Sequence, residues 1–284
     1  MSKHRYFFHI AYKGSEYRGW QKQVNAKSVQ ETIEEVLSKF LKEKVHCIGC
    51  GRTDAGVHAS QYYFHIDVSR EISQNLLFAF NRMLPPDISI FDFRKVEAKN
   101  HAQHSANLRT YNYFIHISKN PYLGDISSLY SLDLNCEKMQ DAANLLVGEQ
   151  DFRAFCKTPD RHNHTICKME KVQLYQTIDR QFFRIEFKAN RFLKGMIRII
   201  VHQLLEVGQG KLSVEEFKNQ LNRMITPKPL VFAYPQGLYL SEIKYPFISN
   251  ECVSNQCLLL DLKEWIAVST SSHISPTSDT TLPG

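Results

Sequence analysis

The sequence predicts an α+β protein made of two comparable blocks of strands and helices. Runs rich in aromatic and β-branched residues, which are typical of strands, recur in both halves of the chain. Amphipathic helical patterns lie between them, and two of these begin with the same Ser-Val-x-Glu capping pattern, at Ser28 and at Ser213. This order favours a small sheet with covering helices in each half, the two halves being joined through a sheet.

The first block contains four predicted strands and two predicted helices. The helix that opens at Ser28 carries an apolar stripe that we assign to the core. The second helix stops at Pro85, because proline disrupts a helix. In chain order we predict a strand at 5–12, a helix from 28, a strand at 45–48, a half-buried strand at 61–67, a helix at 76–84 and a strand at 88–97.

The second block repeats the mixture of strands and helices and is followed by a weaker pattern. We predict a strand at 109–117, a helix at 137–147 followed by Gly148 as its C′ residue, a hairpin of 169–177 with 181–189, an apolar helix at 192–207, a helix from 213 and a strand at 237–245. The domains are therefore predicted as 1–105, 106–248 and an extension at 249–284, whose Ser/Thr-rich part is expected to be disordered from about residue 267.

Composition narrows the class of protein. Hydrophobic residues make up 43% of the chain, and no apolar run reaches the ~18 residues that span a bilayer. We expect no export signal and a reducing, cytoplasmic location, since the seven cysteines have no disulfide-framework spacing. The net charge of +6 is mildly basic, and basic residues interleave with tyrosine and tryptophan near the N-terminus. That pattern suits a polyanion with stackable bases, or simply a solvated face.

The segment "CIGCGRTDAGVHA", residues 47–59, is the strongest candidate for a functional loop. A dinucleotide-binding fingerprint fails because Asp54 occupies its third glycine position, and a phosphate-binding P-loop fails because Val57 follows Gly56. Cys47 and Cys50 form a C-x-x-C pair, but zinc would need a second pair, so we prefer buried thiols and predict no metal.

Asp54 itself has two interpretations. An aspartate in a glycine-rich loop commonly makes local backbone hydrogen bonds that stabilise a turn. The small neighbours, however, would let a flat ligand approach the carboxylate, and Arg52 offers a planar cation to a phosphate or to Asp54. From the residues alone both interpretations remain open.

The loop sequence "GRTDAGVHA" resembles the catalytic-loop motif of the TruA-type family of tRNA pseudouridine synthases. Four more segments resemble motifs of that family and occur in the family's order, so that the resemblance covers about residues 4–247. They are "YKGSEYRGWQ" at 12–21 with the "SVQE" that follows, "RTYNY" at 109–113, "RFLKGMIRIIV" at 191–201 and "GLYL" at 237–240.

The resemblance implies an α+β fold of two ferredoxin-like halves, joined through a continuous antiparallel sheet with a cleft between them and helices on the outer face. It implies an isomerase that converts uridine to pseudouridine at positions 38–40, in the anticodon stem-loop of tRNA. It also implies a homodimer that grips the tRNA and needs no metal or organic cofactor. The alternative is an RNA-binding paralogue with altered or lost turnover.

The resemblance also assigns roles to single residues. Asp54 matches the catalytic aspartate, Arg52 the residue that holds the flipped nucleotide, and Tyr111 the tyrosine that stacks on the base. Arg198 matches an arginine that pairs with the aspartate, although its helical spacing also fits a solvated stripe. Leu240 is expected either to line the pocket or to belong to the core, and Lys188, Arg191 and Lys194 are expected to contact the RNA backbone.

Three positions depart from the family pattern: Lys13, Gln103 and His202 stand where the family usually has aspartate, arginine and glycine. The first two fall in regions expected to face RNA. They leave the implied reaction type intact but bear on which tRNA positions are used.

Overall fold

The computed structural model describes residues 3–248, 258–261 and 264–271. Within these residues the strands form one mixed sheet. The strands are β1 His4–Tyr12, β2 Ile48–Gly49, β3 His58–Val68, β4 Ile88–Val96, β5 Leu108–His116, β6 Ser128–Leu129, β7 Gly148–Asp151, β8 Ile166–Gln176, β9 Phe182–Ala189, β10 Leu238–Lys244 and β11 Ile266–Ala267. The helices are α1 Val29–Leu41, α2 Leu76–Met83, α3 Cys136–Asn144, α4 Met196–Gly208, α5 Val214–Asn222 and α6 Leu258–Asp261.

The two halves share one topology, which confirms the predicted α+β class. In the first half the strand order is β4-β1-β3-β2, and in the second half it is β10-β5-β9-β8. If the short strands β6 and β7 are left out and the four remaining strands of each half are counted along the chain, both orders read 4-1-3-2, the order of a ferredoxin-like βαββαβ unit.

The junction between the halves corrects one feature of the prediction. Strand β10 pairs with β3 through two residue pairs, Tyr239 with His58 and Leu240 with Ala59, and this pairing is parallel. The sheet is therefore continuous but mixed, and not antiparallel throughout as predicted. The strands on either side of the junction pair antiparallel with their own neighbours.

Most predicted elements are present, but the strand predicted at 45–48 is observed only at Ile48–Gly49, and two helix ends differ. Helix α3 ends at Asn144, because residues 145–147 make tight turn bonds and Gly148, with φ +116°, begins β7 instead of capping the helix. Helix α4 begins at Met196 and not at residue 192, because its N-cap, Gly195, has a left-handed backbone with φ +72°. Lys194 therefore precedes the helix.

Strand β3 is buried on both faces, whereas its alternating pattern predicted a half-buried strand. Tyr63 and His65, on the expected solvent face, are 5% and 0% exposed. The ring of Tyr245 packs edge-on against Tyr63, and the ring of Phe7 stacks on His65. The backbone NH of Ala102 donates to His65 Nδ1 at 3.1 Å. Segments distant in sequence thus cover a face that local periodicity assigns to solvent.

Part of the predicted extension packs on the second half. The Trp265 ring lies 6.0 Å from that of Phe114, and β11 pairs with the outer edge of β8. The predicted start of the disordered tail, near residue 267, falls on this short strand, and residues 272–284 lie outside the described residues. The division into domains at residues 105 and 248 stays a prediction.

Candidate active site

The loop between β2 and β3 lies at the junction of the two halves. Strand β2 is two residues long and pairs with His65 and Phe64, so it covers a short stretch of the β3 edge. Further along the same edge, β10 pairs with His58 and Ala59. The loop at 50–57 connects β2 to this pairing, which brings its residues against the second half.

Close backbone contacts hold the loop in place. The backbone NH of Trp20 donates to the carbonyl of Thr53 at 3.3 Å, and that of Gly56 donates to the carbonyl of Tyr17 at 3.1 Å. Gly19 has φ +91°, and a Cβ at this position would lie 2.3 Å from the Thr53 oxygen. Only glycine permits this approach, so the segment before α1 fixes the conformation of the loop.

Asp54 directs its carboxylate away from the local turn. The turn is closed by the backbone, because the NH of Val57 donates to the Asp54 carbonyl at 3.2 Å. The side chain is 36% exposed, and its one polar partner among the described residues is Arg198, whose Nη1 lies 3.5 Å from Oδ2. The carboxylate is therefore open to solvent on one side and faces a cation on the other.

Arg198 reaches this carboxylate from α4, in the second half. Its Nε donates to the carbonyl of Ala233 at 2.7 Å, and its guanidinium carbon lies 5.4 Å from the centre of the Phe232 ring. The side chain is 17% exposed. The spacing-based alternative of a solvated stripe does not describe this residue, since its guanidinium is held inside the junction.

Tyr111 and Leu240 are buried next to each other at the junction of the two halves. They are paired across β5 and β10, and Leu240 also pairs with Ala59 of β3. Tyr111 is 9% exposed and packs edge-on against Phe192 at 5.0 Å. Burial, followed by the nearby Cys50 and Asp54, raises the pKa of Tyr111, so its phenol is neutral at physiological pH.

The predicted basic residues do not share one environment. Arg52 is exposed and has no hydrogen bond or ion pair within the described part of the chain. Lys194 is also exposed, and Arg191 contacts His164 Nε2 at 3.0 Å. Lys188 alternates with Phe187, which pairs with Tyr111, so it points to the opposite face of the sheet, where its ammonium lies 3.2 Å from Glu186.

Several contacts at the site were not predicted from the sequence. Arg109 donates from Nη2 to the carbonyls of Cys50, at 3.1 Å, and Gln103, at 3.0 Å, and so ties the loop to β5. Its place in the "RTYNY" segment was the one available signal. Lys157 lies over the Phe232 ring at 5.4 Å, and nothing in the local sequence of either residue indicates this contact.

The departures from the family pattern have different surroundings. Lys13 forms an ion pair with Asp125 at 2.9 Å, which links the two halves. The backbone carbonyl of Gln103 accepts the bond from Arg109 described above. His202 is half-buried on α4, and this burial lowers its pKa.

The two cysteines of the loop are buried thiols. Burial raises the pKa of Cys50 to about 11 and that of Cys47 well above its ordinary value, so both are protonated at neutral pH. No set of three or more His, Cys, Asp or Glu side chains in the described ranges is placed to hold a metal ion. Nor does any helix in those ranges have the length and apolar character needed to cross a membrane.

The fold and the site together resemble those of an enzyme: two ferredoxin-like units bring an accessible carboxylate, a partly buried arginine and a buried tyrosine to their junction. Comparison with known proteins shows to which enzyme family the chain belongs. A family profile described as tRNA pseudouridine synthase matches residues 142–246. Relatives named tRNA pseudouridine synthase A match almost the whole length of the described fold.

The relative from Bacteroides fragilis is 37% identical over 252 residues, covering 87% of this chain and 98% of its own. The one from Bacteroides thetaiotaomicron is 38% identical, covering 85% and 91%, and that from Thermoanaerobacter pseudethanolicus is 37% identical, covering 83% and 97%. The chain belongs to the tRNA pseudouridine synthase family.

Proposed function

We propose that this chain isomerises uridine at positions 38–40, in the anticodon stem-loop of tRNA, with Asp54 as its nucleophile. The reaction class, conversion of uridine to pseudouridine in tRNA, follows from membership of the family. The observation that carries the assignment to Asp54 is its geometry: a carboxylate 36% exposed, on a rigid loop, facing Arg198 across the junction.

The reaction breaks the bond between C1′ and N1 of uridine and forms a bond between C1′ and C5. The C5 proton is lost and N1 gains one, so no oxidant, reductant or cofactor enters the balance. A carboxylate serves this chemistry by attacking either the sugar or the base and leaving again. Asp54 is the one acidic side chain of the loop at 50–57.

The neighbouring residues have complementary proposed roles. A paired nucleotide must leave its stack, at a cost of a few kcal/mol, before it reaches a carboxylate in a cleft. Arg52, exposed two residues before Asp54, is placed to hold the nucleotide out. Tyr111 offers a neutral ring to the base and Leu240 an apolar wall, while Arg198 faces the Asp54 carboxylate as its ion-pair partner.

Cationic side chains near the junction of the two halves supply contacts with phosphate. We assign this role to Arg191 and Lys194, on the segment before α4, and add Lys157 beside them. Lys188 is expected to contribute less, because Glu186 neutralises it on the other face of the sheet. Such contacts give affinity without sequence specificity.

A homodimer that grips one tRNA is part of the proposal, and it rests on the family resemblance. The proposed compartment is the reducing cytoplasm, because Cys47, Cys50, Cys156 and Cys167 are buried as free thiols.

The test is replacement of Asp54 by asparagine, which keeps the shape of the side chain and removes its charge. In the Asp54→Asn variant, turnover should fall by about three orders of magnitude or more, as for other essential nucleophiles. The measurement is release of tritium from tRNA labelled at C5 of uridine, alongside tRNA affinity and thermal unfolding, both of which should change little.

Asp92→Asn is the matched control. Asp92 is 37% exposed and is also paired with an arginine, Arg94, but it lies on β4 at the far edge of the first half. It should keep normal turnover. Turnover retained by Asp54→Asn would refute the proposed nucleophile. Wild-type protein that binds tRNA but releases no tritium would favour the paralogue that only binds RNA.

A further inference from the structure

We propose that Phe232 is a positioning residue of the active site, whose ring holds the Arg198 guanidinium at the distance from Asp54 that the reaction requires. The inference rests on the proposed roles of Asp54 and Arg198. It concerns a residue just before β10 that belongs to none of the segments that resemble the family's motifs.

The ion pair alone does not account for the position of Arg198. The separation of 3.5 Å between Nη1 and Asp54 Oδ2 is longer than the ~2.7–2.9 Å typical of a charge-assisted hydrogen bond. The short contact of Arg198 is with the protein backbone, from Nε to the Ala233 carbonyl at 2.7 Å. The guanidinium is therefore held from the side away from the carboxylate.

The Phe232 ring makes the second contact that holds the Arg198 guanidinium. The Arg198 guanidinium carbon lies 5.4 Å from the centre of the Phe232 ring, within the range of a cation–π contact. A contact of this kind is strengthened where water is excluded, and the Arg198 side chain is 17% exposed. The ring belongs to Phe232 and the carbonyl to the adjacent Ala233, so one short segment determines the position of both groups.

The segment is itself fixed to the helix that carries Arg198. The backbone NH of Ala233 donates to the carbonyl of Arg198 at 3.0 Å, which makes the link reciprocal. A Cβ at Gly195 would lie 2.7 Å from Cε1 of Phe232, so the glycine N-cap of α4 leaves the space that the ring occupies. These contacts explain why α4 begins at a glycine in place of a side-chain cap.

The arrangement has a chemical consequence. A guanidinium free to move would close onto the carboxylate as a two-pronged ion pair and cover both oxygens. Held by Phe232 and Ala233, it neutralises Asp54 from a distance and leaves carboxylate surface for the nucleoside. Loss of the ring should therefore slow the chemical step and leave tRNA binding almost unchanged.

The ring could alternatively serve packing alone, and two substitutions separate these roles. Phe232→Tyr keeps an aromatic face, whereas Phe232→Leu keeps apolar bulk without one. We expect kcat to fall about five- to thirty-fold in Phe232→Leu and Phe232→Ala, on the scale of a partly desolvated cation–π contact, with KM for tRNA within about two-fold. Phe232→Tyr should restore kcat. Val231→Ala, at the exposed neighbouring residue, is the control for general disturbance of the segment.

A double-mutant cycle with Arg198→Lys completes the test, using single-turnover rates and thermal unfolding of each variant. If Phe232 acts through Arg198, adding Phe232→Leu to Arg198→Lys should cost much less than it costs alone. Normal kcat in Phe232→Leu, or the same loss in both backgrounds, would overturn the positioning role. Neither result would bear on the assignment of Asp54 as the nucleophile, because that assignment is refuted only if the Asp54→Asn variant retains turnover.

Discussion

The two halves share a strand order, but the second strand of each differs greatly in length. In the first half it is β2, with two residues, and in the second it is β8, with eleven, paired to β9 along most of its length. The short β2 leaves part of the β3 edge open, and β10 fills it at His58 and Ala59. The same truncation gives a loop of eight residues, 50–57, where the second half has a plain hairpin turn. A shortened strand thus creates both the junction and the place for the carboxylate.

The residues of the proposed active site are likewise divided between the halves. The first half contributes the loop with Asp54, and the second contributes Tyr111 from its first strand and Arg198 from its second helix. The site exists only where the two meet. Destabilisation of either half should therefore impair turnover, but different conditions and substitutions should destabilise the two halves.

Acid should produce the largest difference between the halves. In the first half, His9, His58 and His65 are buried, and this burial lowers the pKa of each to about 4, from 6.5. Each stays neutral in the fold at a pH where the unfolded chain binds a proton. The free energy of unfolding is therefore unaffected by these histidines above about pH 6.5. As the pH falls towards 4, it decreases by up to about 1.4 kcal/mol per pH unit for each histidine.

Urea unfolding at about pH 7.5 and about pH 5 measures this loss, and amide hydrogen exchange shows which half opens first. His9→Phe supplies the test of cause, because neither ring nitrogen of His9 has a hydrogen-bond partner in the described structure. The His9→Phe variant should have a smaller slope of unfolding free energy against pH, reduced by the contribution of one histidine. An unchanged slope, or earlier opening of the second half, would contradict the assignment.

Local sequence patterns predicted the elements well and the contacts between halves poorly. Ser28 does cap α1, through a bond from the Glu31 NH at 3.3 Å, because capping is decided within four residues. The burial of Tyr63 and the parallel pairing of Leu240 depend on segments more than a hundred residues away. For the site, the resemblance of the loop indicated Asp54 and that of the segment at 191–201 indicated Arg198, whereas the contacts of Phe232 and Lys157 were found only in the three-dimensional structure.

The loop at 50–57 provides a second test of the difference between the halves, through two glycines with positive φ. Gly19, in the first half, lies against the loop, and Gly210, after α4 in the second, has no atom within 4 Å of an added Cβ. Gly210→Ala should cost about 1 kcal/mol for its backbone conformation alone. Gly19→Ala adds a clash with Thr53 and should cost roughly 3 kcal/mol and displace Asp54, with loss of most turnover.

Thermal unfolding and tritium release measure the two effects on the same pair of proteins. Because the substitution is identical and both glycines have positive φ, their difference isolates the close approach to the loop. Equal stabilities and normal turnover in both variants would show that the segment before α1 does not fix the loop.

A smaller effect than that of Gly19→Ala is expected at the extension, which packs on the face of the second half opposite Tyr111. There the Trp265 ring lies 5.3 Å from the Arg184 guanidinium carbon and 6.0 Å from the Phe114 ring. Trp265→Ala should lower the free energy of unfolding by about 1–2 kcal/mol, as expected for a half-buried aromatic contact, and Trp265→Phe by less. Turnover should be normal in both, because Phe114 and Tyr111 point to opposite faces of β5. A fall in kcat without a fall in stability would show instead that the extension acts on the site through the sheet.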